Sequence, residues 1–143
     1  MNNNNMRIKE IFSAALENHK KNNFEIAENL YKKILKINPD HFESIFYLGS
    51  LSVQTKNLDL AKSLLQKAIK IQPNFAKAHN NLGVVLKELG ELQKAISCCK
   101  KAIKIQPNFT DAHNNLGLIF MELEEHKKAI SCYKKAIEID PNY

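Results

Sequence analysis

AKAHNNLGVVLKELGELQKAISCCKKAIKIQPNF, residues 76–109, and TDAHNNLGLIFMELEEHKKAISCYKKAIEIDPNY, residues 110–143, follow each other in the chain and agree at 21 of their 34 positions. Working back towards the N-terminus, FESIFYLGSLSVQTKNLDLAKSLLQKAIKIQPNF at 42–75 is plainly another copy. Residues 8–41 form a looser one, recognisable mainly by its second half. All four prolines, Pro39, Pro73, Pro107 and Pro141, keep the 34-residue spacing with no insertion or deletion. A fixed period of this length marks a protein built from one small unit copied in tandem. Only residues 1–7 fall outside the register, and the run Asn2–Asn5 within them has nothing to bury, which predicts a disordered tail ahead of an array at 8–143.

Each unit reads as a helical hairpin. In the third, Leu82, Val85, Leu86 and Leu89 recur at spacings of three and four, the face of one helix. Gly90 then supplies a left-handed stop. Leu92, Ala95, Ile96, Cys99, Ala102 and Ile103 make a second periodic run, closed before Pro107 because proline disfavours helix at the residue preceding it. The fourth unit has Glu124 in place of Gly90 and the second has Lys56-Asn57, so the turn does not require glycine, and some fraying of the first helix is expected at Glu124. Gly49, Gly83 and Gly117 recur inside the first helix, with Ala27, Ala61, Ala95 and Ala129 in the second. Glycine within a helix costs roughly 1 kcal/mol relative to alanine, so its recurrence predicts an approach too close for a side chain.

Bulk properties narrow the function. No stretch approaches the ~20 apolar residues that cross a bilayer, and the N-terminus has no apolar segment of a secretory signal. Cys98, Cys99 and Cys132 are odd in number, and Cys98 and Cys132 occupy one column of neighbouring units, about 8–10 Å apart by helix spacing and beyond disulfide reach. A reducing, cytoplasmic setting is expected. The net charge of +6 is carried largely by lysines that recur near the ends of second helices, among them Lys100, Lys101 and Lys104, where cations offset the helix dipole. With no interleaved aromatic platform, nucleic-acid binding is not expected. Phosphate loops, paired carboxylates and nucleophile motifs are lacking. The five histidines show no pair at helical ligand spacing. The sequence therefore predicts no catalysis, no cofactor and no metal, with the rings of His79 and His113 packed between helices and a nitrogen reaching solvent.

Leu48-Gly49, Leu82-Gly83 and Leu116-Gly117, followed by alanine twelve residues after the glycine, a large residue four further on (Leu65, Cys99, Tyr133), alanine after three more and the final proline, resemble the tetratricopeptide repeat. The resemblance covers 8–143 in four units, 8–41, 42–75, 76–109 and 110–143. Departures lie in the first helix, where the family's usual aromatics are Ile11, Ile45, His79 and His113, then Asn18, Ser52, Leu86 and Phe120. The resemblance implies an all-α solenoid, a right-handed superhelix whose first helices line a concave groove that binds a protein or peptide segment. Helical spacing then assigns to the groove Phe12, Leu16, Phe46, Ser50, Val53, Asn80, Val84, Lys87, Glu88, Asn114, Leu118, Met121 and Glu122, and Asn81 and Asn115 join Asn80 and Asn114 as binding residues because each amide offers a donor and an acceptor to a peptide backbone. Asn-Asn-Leu-Gly looks like the repeats ahead of the catalytic part of O-GlcNAc transferase, whose second Asn forms a ladder holding extended polypeptide; Asn81 and Asn115 match that column, whereas Ser13 and Tyr47 do not. A carboxylate clamp of the chaperone-binding type is disfavoured, since only one of five positions fits in either frame.

Three readings of function remain at this stage: a non-catalytic interaction module, a substrate-recruiting arm of a larger glycosyltransferase-like enzyme, and a structural spacer or self-assembly unit. Ile130, Tyr133 and Ile137 have no following unit to cover them. Exposing such side chains forgoes up to ~1.5–3 kcal/mol each, which predicts either further repeats or another domain beyond Tyr143, or self-association through this face.

Overall fold

The apolar stripes seen in the sequence become eight helices. The computed structural model describes residues 3–143, and every regular element among them is α-helical: α1 (Asn3–Lys20), α2 (Phe24–Ile37), α3 (Phe42–Gln54), α4 (Leu58–Ile71), α5 (Ala76–Glu88), α6 (Leu92–Ile105), α7 (Thr110–Glu122) and α8 (His126–Ile139). The expected disordered tail needs correcting. Asn3–Arg7 belong to α1, while Met1 and Asn2 lie outside the described residues. Ile8 and Ala15 are buried and fix this helix, and once a helix is nucleated, another turn towards the N-terminus costs little when no proline or cap stops it.

The turns inside the hairpins all close in one way. Asn22, Lys56, Gly90 and Glu124 sit at φ 60°, 60°, 76° and 57°. After each, the amide of the next residue donates five residues back, as in Asn57 N–H to Ser52 O at 2.9 Å, Glu91 N–H to Leu86 O at 2.8 Å and Glu125 N–H to Phe120 O at 2.8 Å. This is the Schellman closure of a helix end. Contrary to the expected fraying, α7 stops at the register position where α3 and α5 stop. The two backbone hydrogen bonds hold Glu124 in the left-handed region despite its Cβ. Between repeats the second helices end on extended residues, such as Gln106 at φ −130° and ψ 90°, the conformation that a following proline demands.

The chain divides into two compact units, Met1–Gln72 and Pro73–Tyr143. In the first, Ala15, Ala27, Tyr31, Leu48 and Leu51 form the core, with Phe12, Phe24, Leu30, Leu35, Tyr47 and Leu64 packed around them. Lys67 ties α4 to the loop between α2 and α3, its Nζ donating to Pro39 O at 2.7 Å and pairing with Asp40 at 3.0 Å. In the second, Ala76, Ala102, Phe109 and Ala112 pack with Ile103 and Ile105. The small-residue columns meet as their sequence implies. A Cβ on Gly83 would stand 2.7 Å from Cys99 Sγ, one on Gly117 2.6 Å from the Tyr133 ring, and one on Gly49 3.2 Å from Leu65. His79 and His113 are buried as their interface packing predicts, and Nε2 of each reaches a backbone carbonyl, Pro73 O at 2.8 Å or Pro107 O at 2.9 Å.

Candidate functional site

The first helices of each unit are joined by contacts between residues 35 apart, one more than the repeat. Each unit has two such rungs, built from the same columns. In Met1–Gln72 the ring of Phe12 lies edge-on to Tyr47, centroids 5.8 Å apart, and His19 Nε2 meets Gln54 Oε1 at 3.2 Å. In Pro73–Tyr143 the Nδ2 of Asn115 donates to Asn80 Oδ1 at 3.0 Å, and Lys87 pairs with Glu122 at 3.4 Å.

The same columns therefore carry different chemistry in the two units. The first is aromatic. Phe12 also touches Tyr31 and His41, Tyr31 stacks on Tyr47 at 6.3 Å, and Phe46 meets Tyr47 edge-on at 5.3 Å. Leu16, His19, Lys20, Tyr47, Ser50 and Gln54 surround a hollow of about 410 Å³. His19 is fixed in it, because Nε2–H donates to Gln54 and leaves Nδ1 to accept from the Tyr31 hydroxyl at 3.2 Å. Burial, with the nearby Tyr47 adding to it, pushes the Tyr31 hydroxyl well above its usual range, so it remains a donor. The second unit is polar along its rungs and apolar beside them, with Leu118 and Met121 exposed.

Among the residues assigned to the groove, Phe12, Leu16, Ser50, Val53, Asn81, Val84, Lys87, Asn114 and Asn115 are half-buried, while Phe46 and Asn80 are buried. Asn115 is joined to Asn80 in the neighbouring column of the preceding repeat. Glu122, which helical spacing places in the groove, completes one rung, while His19, Tyr47 and Gln54 complete the others and lie outside the residues assigned from sequence. The 35-residue diagonal, visible as Asn80/Asn115 and Lys87/Glu122 once the repeats are aligned, was the signal that could have found them. Tyr133 folds onto Gly117 and is half-buried, leaving Ile130 and Ile137 as the open residues of α8. Among the described residues, no group of three or more His, Cys, Asp or Glu side chains could hold a metal ion, and no helix is long and apolar enough to cross a membrane.

Tetratricopeptide-repeat models match residues 76–109 and 110–143, a further TPR-repeat model matches 49–90, and another tetratricopeptide model matches 11–41. The chain belongs to the tetratricopeptide-repeat family. Among solved structures, it is similar to MamA at 31% identity and a TM-score of 0.82, covering 90% of this chain and 75% of MamA. It resembles YrrB, described as a TPR protein with an unusual peptide-binding site, at 25% identity and TM-score 0.83, covering 95% of this chain and 70% of YrrB. A mutant of the Thermobaculum terrenum O-GlcNAc transferase matches at 29% identity and TM-score 0.80, covering 84% of this chain but 23% of that one. No curated protein matches by sequence. The fold is thus the all-α tetratricopeptide solenoid class.

Proposed function

We propose that this tetratricopeptide-repeat chain is a non-catalytic protein-interaction module that binds an extended polypeptide against its first helices. The observation that carries this reading is the Asn80–Asn115 rung beside exposed Leu118 and Met121. The bond between the two amides uses one donor of Asn115, and the Asn115 Oδ1 can then accept from a backbone N–H of the ligand. Leu118 and Met121 would cover the apolar side chains next to that peptide group. The likeness to YrrB, itself described as having a peptide-binding site, supports the same reading.

Selection of peptides from a displayed random library against the whole chain tests it. Selected peptides should lose about 1–3 kcal/mol of affinity on Asn115→Ala, the cost of an interfacial hydrogen bond left unmade, and more on Leu118→Lys with Met121→Lys. Reversing the exposed Lys100, Lys101 and Lys104 to Glu should leave affinity unchanged. Peptides that lose binding on the lysine reversals and keep it on the first-helix variants would refute the reading.

The likeness to the O-GlcNAc transferase favours a second reading, in which these repeats recruit protein substrates for an enzyme encoded in the same longer chain. An open reading frame that stops at Tyr143 would reject it.

A further inference from the structure

The columns that α6 buries are open on α8. Ile96 is 8% exposed, whereas its counterpart Ile130 is 52% exposed; Ile103 is half-buried, whereas Ile137 is 54% exposed. In Pro73–Tyr143 it is α7 that lies on α6. Ile130 and Ile137 are seven residues apart and share one face of α8. Lys127 and Lys134, both exposed, sit on one flank of that face, with Glu138 further along the same flank.

We infer that this face is the contact between two copies of the chain, packed α8 against α8 in antiparallel fashion about a twofold axis. Two further observations choose this occupant. The first is charge. In an antiparallel pair centred near Tyr133, Ile130 of one copy lies within about one residue of Ile137 of the other along the helix. Lys127 then lies beside Glu138 of the other copy, on the same flank. These two residues are eleven apart on one helix, about 16 Å along its axis, so they can meet only between copies. A twofold contact of this kind is self-complementary and closes at two.

The second observation rules against head-to-tail stacking. The buried residues of α7 include Ala112, His113, Leu116, Ile119 and Phe120. Three repeats earlier the same columns of α1 hold Glu10, Ile11, Ala14, Glu17 and Asn18, with Glu10 and Glu17 exposed. Stacking α1 of another copy on α8 in the repeat register would therefore bring the Glu10 carboxylate and the Glu17–Lys21 ion pair into columns that α7 buries, where burying charge is strongly unfavourable.

Sedimentation equilibrium of the whole chain over a concentration series tests this, with circular dichroism confirming that each variant is folded. Wild type should fit a monomer–dimer equilibrium. Ile130→Glu should raise the dimer dissociation constant by at least about tenfold. Lys127→Glu and Glu138→Lys should each weaken the dimer, and the two together should restore it. A monomer at every concentration overturns the inference. So does an assembly that keeps growing, or a dimer insensitive to Ile130→Glu, or charge reversals that do not rescue each other.

Discussion

At the level of single residues, the glycine columns are where the fold is least forgiving, and their three members should not respond alike. Gly83 meets Cys99, which is fully buried, and the same Cβ position also stands 3.4 Å from the rigid backbone oxygen of Ala95. The sulfur cannot retreat, and Gly83→Ala should cost about 1–3 kcal/mol as overpacking. Gly117 has the shorter approach, yet its neighbour is the half-buried ring of Tyr133, which can turn outward, so Gly117→Ala should cost less. Gly49 faces Leu65 at 3.2 Å, and there the helix-propensity gain of about 1 kcal/mol should leave Gly49→Ala near neutral. Chemical denaturation of the three variants checks the order. Combining Gly83→Ala with Cys99→Ala should recover part of the loss, a coupling expected between touching side chains. Burial, reinforced by the neighbouring Cys98 and Cys132, raises the Cys99 thiol from the ordinary 9.0 to about 12. At neutral pH, alkylation followed by mass spectrometry should therefore modify half-buried Cys98 and Cys132 well before Cys99. The recurrence of these glycines was legible in the sequence because a mid-helix glycine needs a reason; which neighbour could yield was not, since that depends on packing beyond the hairpin.

At the level of the helix and its turn, the sequence was read well where a rule is local and less well where a closure is shared. Prolines and 3.6-residue periodicity located both helices of every repeat. The fraying expected at Glu124 overlooks that two backbone hydrogen bonds close all four turns, including those at Asn22 and Lys56. Residues other than glycine pay roughly 1–2 kcal/mol for the left-handed conformation. Glu124→Gly should accordingly stabilise the protein by up to about 1 kcal/mol, and Gly90→Glu should destabilise it by a similar amount; thermal melts of the two variants check the opposite signs. The start of α1 was misread for a related reason. Composition describes what a segment would do alone, while Asn3–Arg7 are carried by a helix anchored at Ile8. His79 and His113 were legible as buried rings, but their carbonyl partners belong to the preceding loop and follow only from how the repeats stack.

At the level of the whole molecule, three weak acids that hold their protons more tightly than usual make stability sensitive to alkali. Burial lifts the Cys99 thiol to about 12. The Tyr143 side chain is exposed, yet partial desolvation of its hydroxyl and then its hydrogen bond to Asp111 raise that group to about 12, and Tyr31 is raised as well. Each group holds its proton in the folded chain at a pH where the unfolded chain has released it, so stability is intact below the ordinary value of 9.0 for Cys99 and falls as pH rises towards the folded value. Melting temperatures measured from neutral to strongly alkaline pH should show this decline, and Tyr31→Phe should lessen it. The 35-residue rungs set a different kind of limit, on how such a protein can change. Because a rung takes one residue from each of two successive repeats, a single substitution cannot re-specify it; the partner column must change in the next copy. Duplicating residues 110–143 in place of 76–109 would keep the asparagine pair, since Asn114 replaces Asn80, yet would set Met121 where Lys87 faces Glu122. Copying whole repeats thus transmits some rungs and erases others, and binding surfaces in such an array can diverge by the order in which repeats are joined as much as by mutation within any one of them.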